Sequence, residues 1–360
     1  MSSKIKLSVD CRWLFASGIG RYLRNILHHI VQSQHFDVTC LGKREDLQTF
    51  PWFGNVKFVN FEASLFSLKE QLGYVSAIPS SDIFWSPQYN VPVFPIRSKR
   101  RVVTIHDCFQ LAHFSSLSFP VKAYVKLFSF MATRQSDCIL TGSSFSKSQI
   151  LSLAKAQPSK LQMINYGLDP IFEGFSSSLQ ESQKEDFLLT VGNLKPHKNI
   201  PTIIKAFKTI VKDYPQLKLY IVGKKDGFFT GDHSFDAMIK GVEDKVIFLG
   251  SISDAELIQY YRRAKAFVFG SFYEGFGLPV LEAMSFNLPI ISSNIPSVYE
   301  IAGDSITYFN PSDVNELIYL LKKQVQENTQ PNAEEYKAIR QRYSWSASAD
   351  RHIEIFKGLV

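Results

Sequence analysis

Short apolar segments recur along this chain of 360 residues, and most are separated by stretches with helical periodicity. In the first half they lie at residues 4–10, 36–41, 56–61, 83–85, 102–105 and 138–141. In the second half they lie at residues 187–191, 217–222, 246–249, 266–269, 289–292 and 306–309. Strands that alternate with helices are typical of parallel sheets covered by helices on their faces. The sequence therefore predicts an α/β fold.

The length and one polar stretch predict two domains. A chain of 360 residues exceeds what one hydrophobic core usually holds. Residues 173–185 are rich in Ser, Gln and Glu and lack periodicity, which favours a linker. We therefore expect an N-terminal domain at 1–172 and a C-terminal domain at 186–342, with a lone helix in the closing segment 343–360. Two doubly wound halves place a ligand cleft between them, outside the carboxyl ends of their strands.

Composition excludes several classes of protein. No segment reaches the ~20 continuous apolar residues that a membrane-spanning helix needs. The four cysteines show no metal-ligand spacing, and we expect reduced thiols in a cytoplasmic protein. The formal charge of +7 favours an acidic partner, but no nucleic-acid-binding motif occurs. The densest basic run, at residues 97–101, is either a solvated turn or a contact for a membrane surface or phosphate.

The most informative segment is residues 270–284, which follows a predicted strand and leads into a helix expected to begin near Leu278. Gly275 and Gly277 allow the backbone to approach a ligand, and the start of a helix favours an anion. Glu274 and Glu282 are placed to accept hydrogen bonds from a sugar hydroxyl and a ribose diol. Taken alone, the segment also fits an ordinary turn with two surface glutamates.

Glu274 and Glu282 have the E-x7-E spacing found in the donor site of family 4 glycosyltransferases, and the chain resembles that family over nearly all of its 360 residues. Further segments resemble family motifs in the family's order: residues 18–22, 102–107, 191–199, 248–252 and 343–345. The resemblance implies a GT-B fold. In that fold two Rossmann-like domains face each other across a cleft, and the last helix crosses back to the first domain.

The same resemblance implies roles for individual residues. Lys198 would neutralise the donor diphosphate, whose charge grows as the glycosidic bond breaks. Glu274 and His106 would contact the transferred sugar, and Glu282 would bind the ribose. The catalytic candidates are thus His106, Glu274 and Lys198. The donor-binding candidates are Gly18, Gly20, Asn193, Lys198, Ile252, Glu274, Gly275, Phe276, Gly277, Leu278 and Glu282.

Two features qualify the resemblance. Asn193 stands where many members carry an arginine, so Lys198 would hold the diphosphate with less help. No D-x-D motif occurs, and we therefore expect no metal ion on the diphosphate and no cofactor beyond the nucleotide-sugar substrate. The family retains anomeric configuration. The second phosphate-binding loop of this chain ends in Lys198-Asn199. Family members with such a loop end are often bacterial mannosyltransferases that use GDP-mannose in surface-polysaccharide assembly.

The acceptor and the place of action are predicted from the first domain. Residues 65–95 and 109–124 are rich in aromatic side chains, which either form core or meet a sugar or lipid. With the basic run they favour a lipid-linked glycan acceptor and a peripheral position at the inner face of the cytoplasmic membrane. Two alternatives remain open: a nucleotide-sugar 2-epimerase on the same fold, and a non-catalytic nucleotide-sugar-binding subunit.

Overall fold

The computed structural model describes residues 4–173, 184–224 and 235–360. The chain divides into an amino-terminal unit, Met1–Asp169 with Tyr343–Val360, and a carboxyl-terminal unit, Pro170–Arg342. Most of the predicted linker, at 173–185, lies outside the described residues.

The amino-terminal unit contains a seven-stranded sheet with every pairing parallel. Its strands are β1 (Ile5–Asp10), β2 (Phe36–Gly42), β3 (Lys57–Asn60), β4 (Ser81–Ser86), β5 (Ser98–Thr104), β6 (Cys138–Thr141) and β7 (Leu161–Met163). They are arranged in the order β3-β2-β1-β4-β5-β6-β7. Its α-helices are α1 (Ser17–Gln32), α2 (Arg44–Leu47), α3 (Leu68–Ala77), α4 (Phe109–Ala112), α5 (Phe119–Gln135) and α6 (Ser144–Ser152). Short 3-10 helices occupy Cys11–Trp13, Phe53–Asn55, Phe114–Ser116 and Pro158–Lys160.

The carboxyl-terminal unit begins with α7 (Pro170–Glu173) and contains a six-stranded parallel sheet in the order β10-β9-β8-β11-β12-β13. Its strands are β8 (Phe187–Val191), β9 (Lys218–Val222), β10 (Val246–Gly250), β11 (Ala266–Phe269), β12 (Ile290–Ser293) and β13 (Thr307–Phe309). Its further α-helices are α8 (Ile200–Ile210), α9 (Phe235–Ile239), α10 (Asp254–Arg263), α11 (Leu278–Met284), α12 (Pro296–Ala302), α13 (Val314–Glu327) and α14 (Ala333–Gln341), and a 3-10 turn occupies Pro196–Lys198. All residues of β11 and β12 are buried, as expected of central strands covered on both faces.

Each sheet has a point where the strand order reverses. In the amino-terminal unit it lies between β1 and β4, and in the carboxyl-terminal unit between β8 and β11. Ligands of open parallel sheets bind at such points, outside the carboxyl ends of the strands. The loops that follow these four strands are therefore where binding residues are expected.

The last helix, α15 (Trp345–Gly358), belongs to the amino-terminal unit, as predicted. Phe356 packs edge-on against Trp85 of β4, with ring centroids 5.6 Å apart. The buried His352 donates from Nδ1 to the Ser348 carbonyl at 2.7 Å, so its Nε2 accepts from the Tyr22 hydroxyl, also at 2.7 Å. These contacts attach α15 to α1 and to the centre of the sheet.

Three features of the structure were not expected from the sequence. The basic residues 98–101 lie in β5 and do not form a turn. Gly18 and Gly20, in the family-like segment 18–22, lie inside the first turn of α1. Strand β7 was not predicted, because three residues are too short to show a pattern.

Candidate functional site

Two loops of the carboxyl-terminal unit carry most of the predicted donor-binding residues. One follows β8 and spans residues 192–199, and the other follows β11 and spans residues 270–277. Because β8 and β11 are adjacent and parallel, both loops emerge at the same edge of the sheet. The strand order thus brings together segments that are more than 70 residues apart in the chain.

Lys198 and Glu274 form an ion pair between these loops. Lys198 Nζ donates to Glu274 Oε1 at 2.6 Å, and the Ser271 hydroxyl donates to the same oxygen at 2.5 Å. The side chain of Lys198 is 19% exposed to solvent and that of Glu274 is 13% exposed, so a ligand in solvent can reach both. The pair places one cation and one carboxylate at the switch point of the sheet.

The loop that carries Lys198 is fixed by its neighbours. Asn199 has φ +53°, and its side-chain amide donates to the carbonyls of Gly270 at 3.1 Å and Pro311 at 2.9 Å. The Phe272 amide donates to the His197 carbonyl at 2.7 Å. The stem of Lys198 lies against Gly192, where an added Cβ would meet Lys198 Cδ at 3.4 Å. These bonds hold the ammonium group in place before any ligand binds.

Glu282 is buried on α11, which begins at Leu278 as predicted. The Tyr261 hydroxyl donates to Glu282 Oε2 at 3.0 Å. Tyr261 itself is fully buried and stacks on Phe286 with ring centroids 5.4 Å apart. Sequence reasoning missed Tyr261. The only available signal was its helical spacing with the apolar residues of α10, which indicates core and not a binding site.

The other predicted donor-binding residues of this unit lie along the same edge. The Asn193 side-chain oxygen accepts from the Lys224 amide at 2.9 Å, so this residue braces the loop. Ile252 is half-buried after β10, two strands from β8. Gly277 has φ +124°, a conformation that favours glycine, and leads directly into α11. Its neighbours are the half-buried Gly275 and Leu278 and the buried Phe276.

His106 follows β5 in the amino-terminal unit and is half-buried. Its Nε2 lies 2.8 Å from the Pro87 carbonyl, which can only accept, so Nε2 carries the proton. Its Nδ1 accepts from the Tyr166 hydroxyl at 2.6 Å. Burial lowers the pKa of His106 to about 4. The ring is therefore neutral at physiological pH, and both nitrogens are held by the protein.

Gly18 and Gly20 differ in what their positions require. A Cβ on Gly20 would meet the Leu14 carbonyl oxygen at 2.3 Å, so the start of α1 needs glycine there. A Cβ on Gly18 would meet nothing within 4 Å. Packing inside the unit thus explains why residue 20 is glycine. At Gly18 no protein atom lies close, so a ligand could approach the backbone there.

A buried charged network at the end of β1 was not predicted. Arg12 binds both carboxylate oxygens of Asp10, at 2.9 and 2.6 Å, and also Glu70 at 2.7 Å. Glu70 further accepts from the Asn90 amide at 2.8 Å, and the Tyr74 hydroxyl donates to Asp10 at 2.7 Å. Burial raises the pKa of Glu70, although Asn90 and Arg12 oppose that shift. The network fixes α3 to the switch point of this sheet.

Two structural features are absent from the described residues: a cluster of metal ligands and a helix able to span a membrane. Within residues 4–173, 184–224 and 235–360, no group of three or more His, Cys, Asp or Glu side chains is placed to hold a metal ion. No helix in the same part of the chain combines the length and the apolar character needed to cross a membrane.

Comparison with known proteins identifies the carboxyl-terminal unit. Residues 172–342 match the family model "Glycosyl transferases group 1". The chain is 28% identical over 288 residues to O-antigen chain mannosyltransferase B of Escherichia coli, with 75% of this chain and 74% of that protein covered. It is 32% identical over 217 residues to O-antigen chain mannosyltransferase RfbU of Salmonella typhimurium, with 60% of this chain and 58% of that protein covered. The second alignment thus spans little more than half of its relative.

Solved structures show the same fold. Anabaena Alr3699/HepE in complex with UDP-glucose superposes with a TM-score of 0.78 at 17% identity, covering 98% of this chain and 100% of that chain. Sucrose-phosphate synthase from Thermosynechococcus elongatus superposes with a TM-score of 0.77 at 17% identity, covering 99% of each chain. The chain thus has the GT-B fold, its carboxyl-terminal unit matches the group 1 glycosyltransferases, and it is similar to bacterial O-antigen mannosyltransferases.

Proposed function

We propose that the protein transfers a hexose from a nucleotide-diphosphate sugar to a glycan acceptor with retention of anomeric configuration, in polysaccharide or lipopolysaccharide synthesis. The observation that carries the proposal is the Lys198–Glu274 ion pair at the switch point of the carboxyl-terminal sheet. Glu282 lies on α11, the helix that begins directly after the loop of Glu274. A cation and two carboxylates match a diphosphate, a sugar and a ribose.

The ion pair suggests how a donor would bind. A diphosphate carries more negative charge than one carboxylate, so it would replace Glu274 as the partner of Lys198. Glu274 would then accept hydrogen bonds from the hydroxyls of the transferred sugar, while Ser271 keeps one of its oxygens in place. As the bond from the anomeric carbon to the diphosphate breaks, charge builds on the phosphate oxygens, and Lys198 stabilises it most at that moment.

Glu282 would bind the ribose hydroxyls. Its carboxylate is buried, and one oxygen accepts from Tyr261, so the group is oriented in advance. Orientation before binding reduces the entropy lost when the nucleotide is bound. His106 would contact the sugar as a neutral ring and not as an acid, because burial holds its pKa near 4.

We infer GDP-mannose as the preferred donor, because relatives in Escherichia coli and Salmonella typhimurium are named O-antigen mannosyltransferases. HepE, which shares the fold, is described in complex with UDP-glucose, so UDP-sugars are the competing donors. The chain lacks a D-x-D motif, and we propose a reaction without a metal ion or cofactor. The acceptor would be a lipid-linked glycan, met at the cytoplasmic face of the membrane.

A donor screen tests this proposal. Melting temperature is measured with GDP-mannose, UDP-glucose, GDP and UDP at equal concentration, because a ligand that binds only the folded state raises it, and a tighter ligand raises it more. We expect the largest rise with GDP-mannose, unchanged by EDTA. A rise that disappears in EDTA and returns with Mn²⁺ would overturn the metal-free proposal. No rise with any nucleotide would overturn the donor site.

A further inference from the structure

The amino-terminal unit engages both ring nitrogens of His106. The Pro87 carbonyl, 2.8 Å from Nε2, can only accept, so Nε2 carries the proton. The lone pair on Nδ1 is then taken by the Tyr166 hydroxyl, which donates to it at 2.6 Å. A neutral imidazole has one N–H and one acceptor nitrogen, and here the protein uses both. A sugar can therefore meet this ring only through its carbon atoms, and such a contact depends on how the ring is oriented.

The Tyr166 hydroxyl is the donor in this hydrogen bond. Tyr166 is buried, and burial, together with the nearby Tyr22 and Asp107, raises the pKa of its phenol well above the ordinary value. The hydroxyl therefore keeps its proton at physiological pH. A protonated phenol that donates to Nδ1 favours the imidazole tautomer with the proton on Nε2, which is the tautomer that the Pro87 carbonyl also requires.

The space around the Tyr166 ring is closed by its neighbours. A Cβ on Gly142 would lie 2.5 Å from Cζ and 2.6 Å from Cε2 of that ring. Gly142 is not in the left-handed conformation, so the ring, and not the backbone, requires glycine at this position. The Tyr22 ring packs on the same side chain with centroids 5.0 Å apart. The Tyr166 ring therefore cannot turn away from His106 without displacing these neighbours.

The last helix, α15, supplies another of these neighbours. The Trp345 ring stacks on the Tyr166 ring, with centroids 5.7 Å apart and planes 25° apart. Tyr166 lies near the end of the first segment of the amino-terminal unit, and Trp345 lies near the start of its second segment. The two segments are joined there, because the Leu168 amide donates to the Tyr343 carbonyl at 3.0 Å. The side chain that holds His106 is thus anchored where these segments run side by side.

We infer that Tyr166 is a positioning residue for the donor sugar: its hydroxyl holds the His106 ring in one orientation, with the proton on Nε2, and Gly142 and Trp345 hold Tyr166. The surface that the sugar meets is then set before the donor binds, which reduces the entropy lost on binding. Tyr166 is buried and acts through His106. The inference rests on the proposed function in one respect, which is that the transferred sugar contacts His106.

The orientation of His106 is tested without any ligand, by nitrogen NMR of the full chain with isotope-labelled histidine. The His106 signals are assigned as those lost in His106→Asn. At neutral pH the wild type should show a protonated Nε2 and an unprotonated Nδ1. Tyr166→Phe deletes only the hydroxyl, so the Nδ1 signal should move toward that of a nitrogen without a donor. Unchanged His106 signals in Tyr166→Phe, or a protonated Nδ1 in the wild type, would overturn the inference.

The consequence for sugar binding is measured by calorimetry with GDP-mannose and with GDP. Tyr166→Phe should lower the affinity for GDP-mannose about tenfold and leave that for GDP unchanged, because His106 contacts the sugar and not the nucleotide. In a His106→Ala background the same substitution should have no further effect. The matched control is Tyr336→Phe, since Tyr336 is also buried and its hydroxyl donates to the Leu288 carbonyl at 3.2 Å. This control should bind both ligands as the wild type does.

Gly142→Ala displaces the Tyr166 ring while keeping its hydroxyl, so it should also weaken GDP-mannose binding and leave GDP binding unchanged. Equal losses for GDP-mannose and GDP in Tyr166→Phe would show a general effect on folding and overturn the positioning role. The expected NMR change, together with no binding of either ligand by the wild type, would defeat the proposed function and leave the Tyr166–His106 orientation standing. Wild-type affinity for GDP-mannose in Tyr166→Phe would defeat the positioning role alone.

Discussion

Lys198 and Glu274 stand 76 positions apart in the chain, yet Lys198 Nζ donates to Glu274 Oε1 at 2.6 Å. The contact exists because β8 and β11 are neighbours and the loop after each carries one of the two residues. In the proposed function, a diphosphate would replace Glu274 as the partner of Lys198.

Removing the cation should affect turnover more than donor binding. Lys198→Ala should lower kcat by about a hundredfold or more, because the charge that Lys198 meets is largest in the transition state. Donor affinity should fall less. Steady-state kinetics with GDP-mannose measures both effects, and Lys195→Ala, in the same loop, is the control. An unchanged kcat in Lys198→Ala would remove this residue from the reaction.

Ser271 should act through Glu274. Its hydroxyl donates to the same carboxylate oxygen as Lys198, and the residue is buried, so it orients the group without contacting solvent. Ser271→Ala should reduce kcat/KM for the donor about tenfold, since a hydrogen bond to a charged group contributes about 1.5–3 kcal/mol. In a Glu274→Gln background the same substitution should have a smaller effect. Equal effects in both backgrounds would show that Ser271 acts independently of Glu274.

Tyr261 should orient Glu282 for the nucleotide. Tyr261→Phe deletes the hydroxyl that donates to Glu282 Oε2 but keeps the ring that stacks on Phe286. We expect GDP affinity, measured by calorimetry, to fall about tenfold, and to fall further in Glu282→Ala. Tyr260→Phe, one residue earlier and half-buried, is the matched control and should bind GDP as the wild type does. A loss of equal size in both tyrosine variants would indicate a general effect on α10.

Stability should fall in mild acid because two histidines, the buried His352 and the half-buried His106, are held neutral in the folded chain. Burial lowers the pKa of His352 and of His106 to about 4, from the ordinary histidine value of 6.5. The unfolded chain therefore binds more protons between those values, so the stabilising contribution is complete above pH 6.5 and is lost as pH falls toward 4. For the fully buried His352 the loss between pH 7 and pH 5 should be ~2 kcal/mol. Urea unfolding of wild type and His352→Gln at both pH values measures it, and an identical pH dependence would contradict this account.

The sequence was sufficient for the alternation of strands and helices but not for the order of strands. All the predicted strands of the carboxyl-terminal unit occur within one residue of their expected bounds. A short apolar segment indicates residues that are buried, and such a segment between two helices is predicted to be a strand. Which strands become neighbours depends on tertiary packing, so the meeting of Lys198 with Glu274 followed from the family resemblance and not from the residues alone.

The buried polar contacts were the least predictable part. Arg12 and Glu70 are 58 positions apart, and charged residues in a sequence are ordinarily assigned to the surface. A solvated turn was one of the two alternatives for the basic run at 97–101. Residues 98–101 instead lie in β5, which pairs with β4 and β6, and Asp82 and Asp137 on either side pair with Lys99 and Arg100. Long-range pairing of this kind leaves no local pattern.

Acceptor-dependent transfer from GDP-mannose is the most direct test of the central claim. The protein is incubated with GDP-mannose labelled at the anomeric carbon and a panel of soluble and lipid-linked glycans, and the product is analysed by NMR. The account predicts GDP release in step with glycan mannosylation, a new linkage with the anomeric configuration of the donor, and full activity in EDTA. Conversion of the donor to its 2-epimer without an acceptor, or tight donor binding with no turnover on any glycan, would contradict it.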